Sequence, residues 1–150
     1  MIEFSAQGIE MPEIDFRKIS TWIEEVAASH SRRVGNLNYL FVDDEEILVA
    51  NRQFVGHDYY TDIITFDYSR GDKIAGDIMI SLDTVRTNAE KFGVSYFREL
   101  LRVIIHGVLH LVGINDKGPG EREIMEAAED KALAIYNDQL SMINDQLKKS

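Results

Sequence analysis

His106 and His110 stand four residues apart in Ile105-His-Gly-Val-Leu-His-Leu-Val-Gly-Ile-Asn-Asp116. On a helix, positions i and i+4 share one face, a turn apart, so both imidazoles can offer a nitrogen to one metal ion. Gly113 follows three residues later and can end the helix in a left-handed conformation that other residues resist. The chain can then turn back and bring Asp116 to the same ion. Two histidines and a carboxylate leave a fourth tetrahedral position open, the arrangement of a catalytic zinc rather than a structural one. A lone histidine on an apolar helix face is ordinarily a core residue. Two at this spacing, followed by a glycine and a carboxylate, point instead to one divalent ion, zinc foremost, on His106, His110 and Asp116.

This spacing is close to the metzincin peptidase pattern H-E-x-x-H-x-x-G-x-x-H, with two departures. Asp116 stands where the third histidine would be, and Gly107 stands where the general-base glutamate would be. Without a carboxylate beside the first histidine, the usual route to activating water for peptide hydrolysis is missing. The metal scaffold is expected and the peptidase chemistry is not.

A buried helix must position these ligands, and the surrounding sequence supplies one. The segment Tyr96 to Val112 is apolar nearly all round, with Leu100, Leu101, Val103, Ile104, Ile105, Val108 and Leu109, which predicts a central helix. Upstream, Ile2 to Phe4 reads as a strand, followed by a turn at Gly8 and Pro12. Asp15 can cap a helix through Ile19, Trp22, Ile23 and Val26. Gly35-Asn36 is expected to break the chain before a strand from Leu37 to Val42. Asp43 or Asp44 caps a second helix with Ile47, Leu48 and Phe54 on its buried side. Strands are predicted at Ile63 to Tyr68 and Ile74 to Leu82, joined as an antiparallel hairpin. Asp83 or Thr84 caps a helix through Val85 and Ala89, ending near Gly93. A last helix runs from Glu121 to about Leu147; within it Asn137-Asp-Gln-Leu140 recurs as Asn144-Asp-Gln-Leu147, which is read as part of an amphipathic tail. The order predicts an α+β fold in which a small mixed sheet of about four strands packs with helices around the central motif helix.

Composition narrows the class. The chain has 150 residues, 45% of them hydrophobic, enough for one domain over 1–150 with an ordinary core. It has no cysteine, which excludes disulfides and thiolate metal sites and leaves histidine and carboxylate as zinc ligands. The N-terminus carries no basic and apolar leader pattern, and no apolar run approaches the ~20 residues that span a bilayer. A soluble, cytoplasmic protein is therefore expected. A net charge of -10 opposes nonspecific binding to nucleic acid but leaves room for a local basic groove. Arg86, Lys91, Arg98, Arg102 and Lys117 all lie near the motif in sequence.

Four segments together resemble the YbeY family of bacterial endoribonucleases. The stretch His106 to Asp116 is similar to the family motif H-G-x-L-H-L-x-G-x-x-H. Asn51-Arg-Gln-Phe54, Thr61-Asp-Ile-Ile-Thr-Phe66 and Gly76-Asp-Ile-Met-Ile-Ser81 resemble its N-R-x-[FY], T-D-V-L-S-F and G-[DE]-I-x-I-S segments. The resemblance implies a metal-dependent endoribonuclease acting on single-stranded RNA, maturing the 3′ end of small-subunit rRNA and serving ribosome quality control. It also implies partners on the small ribosomal subunit. Two departures stand out: Asp116 replaces the third histidine, and Val55 occupies the place of an arginine that follows N-R-x-[FY].

With Val55 there, Arg52, Arg86 or Lys117 has to meet phosphate. Arg86 and Lys117 are the candidates for stabilising charge that develops on the phosphorane. The ion would acidify a water or act as a Lewis acid on a phosphoryl oxygen. His57 is a further acid, base or phosphate contact to consider, against an incidental loop histidine. Asp62 either orients a ligand imidazole or caps a turn. Two other functions compete: a noncatalytic ribosome-assembly factor with a structural metal, and a zinc metallopeptidase.

Overall fold

The computed structural model describes residues 1–55 and 61–149, with side chains for 1–54 and 61–137. His57, the Val55 side chain and the repeated Asn-Asp-Gln-Leu segments, apart from Asn137 itself, therefore lie outside the residues whose side chains are described. In chain order the elements are β1 (Ile2–Ala6), α1 (Phe16–Ser29), β2 (Arg33–Val42), α2 (Asp44–Ala50), β3 (Ile63–Asp67), β4 (Lys73–Ser81), α3 (Leu82–Phe92), α4 (Tyr96–Leu111) and α5 (Glu121–Lys149). A single π-helical turn, Asn51–Val55, continues α2.

The four strands form one mixed sheet in the order β1-β2-β4-β3. β1 and β4 both run parallel to β2, while β3 pairs antiparallel with β4 as the expected hairpin. Alternate side chains divide the sheet between two cores. Leu37, Tyr39 and Phe41 of β2, with Ile78 and Ile80 of β4, pack into the main core beneath α1, α4 and α5. Leu40, Val42, Met79 and Ile64 face the other way, onto Ile47 and Ala50 of α2. The fold is the α+β arrangement expected, with α4 buried along most of its length.

Four local expectations need correction. β2 does not start after Gly35-Asn36 but runs through them from Arg33, with the register shifting between Val34 and Leu37. The irregularity sits at Gly35, where an added Cβ would crowd the Lys73 side chain and lie 3.2 Å from the Ile74 carbonyl. β4 ends at Ser81, and Leu82 already opens α3. Ser81, not Asp83 or Thr84, is the cap, its hydroxyl accepting from the Thr84 amide at 3.3 Å. Asp83 is directed elsewhere, accepting from the Asp44 amide at the start of α2. Finally, Phe54 is 66% exposed rather than buried. The π turn after Ala50 widens the helical repeat, so an i, i+3, i+4 phase counted from Ile47 no longer points inward at Phe54.

The last helix is fastened to the first. The Trp22 indole donates to the Ala132 carbonyl at 2.7 Å, and its ring meets Tyr136 edge-on at 5.2 Å between centroids. That anchorage sets α5 beside α4, where it supplies a residue to the site.

Candidate metal centre and cleft

On α4 four polar positions form one stripe. Glu99, Arg102, His106 and His110 are spaced three, four and four residues apart, so they share a single face of a largely apolar helix. Ser95 caps the start of α4, accepting from the Arg98 amide at 3.1 Å. The end is closed as the motif predicts: Gly113 has a φ of 107°, and the Gly113 and Ile114 amides return to the His110 and Leu109 carbonyls at 3.1 Å each. The chain then reverses and brings Asp116 back to the helix.

The stripe faces a cleft of about 770 Å³. His106, His110, Asp116, Lys117, Asp62, Asn51, Arg98 and Arg102 all line it, together with Glu99 and Glu129. Beside the stripe α4 presses on the sheet. A Cβ on Gly107 would lie 2.8 Å from Ile78 Cδ1 and 3.2 Å from Ile63 Cδ1. Position 107 therefore has little room for a side chain, and it carries no carboxylate that could serve as a base.

His106 is held at both ends. Its Nδ1 lies 2.7 Å from Glu129 Oε2, and its Nε2 lies 3.5 Å from Asp116 Oδ2. Glu129 and Glu99 are almost wholly buried, at 3% and 2% exposure, and Arg102 joins them. Its Nε and Nη2 donate to the two Glu99 oxygens at 2.8 and 2.5 Å, and its Nη1 donates to Glu129 Oε1 at 3.1 Å. Burial opposes the charged form of His106, but the hydrogen bond and charge of Glu129, with the charges of Asp116 and Asp62, outweigh it. The imidazole titrates above its ordinary value. Asp62 is itself pushed up, chiefly by burial and against the pull of Arg102 and His106.

The sequence reading missed Glu129. It weighed Asp62 as the carboxylate that orients a ligand imidazole, whereas the described contact to His106 Nδ1 comes from Glu129 on α5. No spacing rule could single it out, because its distance from the motif is set by the packing of two helices. The stripe of Glu99 and Arg102 in register with the histidines was a signal available in the sequence. Of the two basic residues expected at the centre, Lys117 lines the cleft and Arg86 does not. Arg86 lies on α3 within 3.8 Å of Asp83 and over the Tyr96 ring. Asn51 lines the cleft from the π turn, so the N-R-x-[FY]-like segment meets the site through an irregular helix.

The donor set suits a divalent ion. Two ligand atoms on one tetrahedral zinc, each bonded at about 2.0–2.1 Å, stand about 3.3–3.4 Å apart. The separation of His106 Nε2 from Asp116 is close to this, and the Nδ1 contact to a carboxylate is the usual second partner of a ligating imidazole. Among the described residues, however, no three histidine or carboxylate side chains are gathered into a ready-made metal cluster. His106 and Asp116 meet directly, and His110 lines the same cleft one turn further on.

Known proteins match this chain along most of its length. The family model described as Endoribonuclease YbeY matches residues 2–137. An Endoribonuclease YbeY of Phocaeicola vulgatus is 63% identical, over 91% of this chain and 99% of the relative. One from Bacteroides thetaiotaomicron is 61% identical, over 89% and 98%. A protein of Thermotoga maritima, known from a solution structure, superimposes with a TM-score of 0.66 at 28% identity, covering 95% of this chain and 93% of its own. The histidine stripe and its cleft thus sit in a chain that belongs to the Endoribonuclease YbeY family.

Proposed function

We propose that the cleft is the catalytic centre of a single-strand-specific endoribonuclease, built as one domain over residues 1–150. His106, His110 and Asp116 would hold one divalent ion, zinc foremost. Such an ion supplies Lewis acidity beside a scissile phosphodiester. The observation that carries this reading is the approach of His106 Nε2 to Asp116 in a cleft that His110 also lines, within a chain of an RNA-cleaving hydrolase family.

The rest of the cleft supports an RNA substrate despite the acidic whole. Lys117 and Arg98 line it, and neither has an ion-pair partner among the described residues. Both are available to phosphate. Arg122 also lines it but is paired with Glu126 at 3.1 Å, and Arg102 is taken up by its two glutamates. Lys117 is the residue assigned to charge that develops on the phosphorane, with Arg98 in place of the distant Arg86. Phe92, 54% exposed, lies on the same lining and offers a face on which an unpaired base can stack. That is a reason for preferring single strands.

The peptidase alternative loses support because Gly107 supplies no general base. Within the cell the proposed task is maturation of the 3′ end of small-subunit rRNA and ribosome quality control, in the cytoplasm and in contact with the small subunit. Among the described residues no helix is long and apolar enough to cross a membrane. The test is cleavage of a labelled oligoribonucleotide, single-stranded or in a duplex, with and without a chelator. Chelator-sensitive cutting of the single strand supports the proposal. Cutting that is indifferent to chelation removes the metal from it, and no cutting with any divalent ion leaves a noncatalytic role.

A further inference from the structure

We propose that Glu129 is a positioning residue that fixes the tautomer of His106, and that Arg102 and Glu99 lock Glu129 in that role. The proposal rests on reading His106 as a metal ligand. An ionised carboxylate can only accept hydrogen bonds. With Oε2 at 2.7 Å, Glu129 therefore requires the proton of a neutral His106 to be on Nδ1. The Nε2 lone pair is left facing Asp116 and the cleft, where an ion would need it. A free imidazole prefers the opposite tautomer, so the carboxylate sets the ligand in advance.

The remaining contacts show why this takes three residues. Burying a carboxylate is costly unless a cation faces it. Arg102 is that cation, bonded to Glu129 Oε1 at 3.1 Å. A guanidinium that met only Glu129 could swing away. The Glu99 carboxylate prevents this by accepting from Nε and Nη2 together, a paired geometry that fixes the guanidinium plane. All four carboxylate oxygens then have a partner. Two carboxylates and one guanidinium leave a net negative charge behind His106, which raises the basicity of its free nitrogen. Arg102 is thus a structural cation and not a phosphate clamp. α5, which lies outside the histidine motif, becomes part of the centre.

The test uses the full chain, first without metal. Long-range 15N–1H correlation spectra, taken at a pH where His106 is neutral, report its tautomer directly. Wild type should show Nδ1–H, and Glu129→Gln should shift His106 toward Nε2–H or a mixture. Titration calorimetry with zinc alone should show affinity falling about 10–100-fold. Arg102→Lys keeps the charge but loses the fork; it should give the same changes in smaller measure, and it serves if Glu129→Gln fails to fold. A folded Glu129→Gln or Arg102→Lys whose His106 keeps a pure Nδ1–H tautomer overturns the proposal, whatever the affinity. His106→Ala separates the two ideas: zinc bound there as tightly as in wild type would sink the ligand reading, while the tautomer still judges Glu129.

Discussion

Alanine at position 107 tests how closely the histidine helix must approach the sheet. The added methyl would lie 2.8 Å from Ile78 Cδ1, at least about 0.7 Å inside ordinary carbon–carbon contact. Ile78 is 1% exposed, so its tip has little room to move. Overpacking of this kind costs about 1–3 kcal/mol, offset by about 1 kcal/mol for replacing glycine within a helix. Gly107→Ala should therefore destabilise by about 1 kcal/mol net. Ile78→Val deletes the clashing Cδ1 and alone costs about 0.5–1.5 kcal/mol. Combined, the two changes fill each other's space, since the nearest remaining atoms lie 3.2 and 3.3 Å away. The double variant should lie close to wild type, with a favourable coupling of about 1.5–2.5 kcal/mol, the sum of the two single costs. Urea unfolding of the four proteins measures this, provided their m-values agree. RNA cleavage should follow the same pattern, because any shift of Gly107 moves His106 with it. Additivity to within about 0.5 kcal/mol would refute the close-packing argument.

Three other outcomes are expected. Lys117→Ala and Arg98→Ala should each weaken binding of single-stranded RNA and reduce its logarithmic salt dependence by about 0.7, measured by fluorescence anisotropy across a salt series. Phe92→Ala should raise KM about 5–150-fold, the loss of a base stack of about 1–3 kcal/mol, with kcat little changed, whereas Phe92→Tyr keeps the wild-type KM. His30 is depressed below 6.5, chiefly by burial and then by Arg32 and Lys131. The folded state therefore disfavours its charged form, and the stability it contributes is complete above 6.5 and lost as pH falls through the depressed value. Relative to wild type, His30→Gln should be more stable at pH 5 than it is at pH 7.5, as read from urea midpoints.

Local chemistry made much of this molecule legible in its sequence. Asp15, Asp43, Gly93 and Gly113 act at helix ends through bonds to residues three or four positions away; that rule found Asp15 and Gly113 and narrowed the α2 cap to Asp43 or Asp44, while Gly93 was read as the break after α3. The β3–β4 hairpin and the buried motif helix followed from periodicity. What escaped depended on contacts distant in sequence or on a change of helical phase. Phe54 was misplaced because a π turn intervenes after Ala50, and Gly35 because the close approach of Lys73 is a tertiary fact. At the site, the motif nominated His106, His110 and Asp116 as one set; all three line one cleft, and of them His106 and Asp116 are in contact. Glu129 lies 23 residues beyond His106 on a helix docked by Trp22, so nothing local marks it. Arg86 illustrates the converse, being near the motif in sequence but turned to Asp83 and Tyr96 on α3.

The central claim is that His106, His110 and Asp116 form one metal centre, and metal content per chain tests it most directly. Elemental analysis of purified wild type should find about one zinc per chain, sharply reduced in His106→Ala, His110→Ala and Asp116→Ala, with each variant still folded. Protein that holds no divalent ion under any loading condition would contradict the claim. The contact between His106 and Asp116 would then be an ion pair and no more.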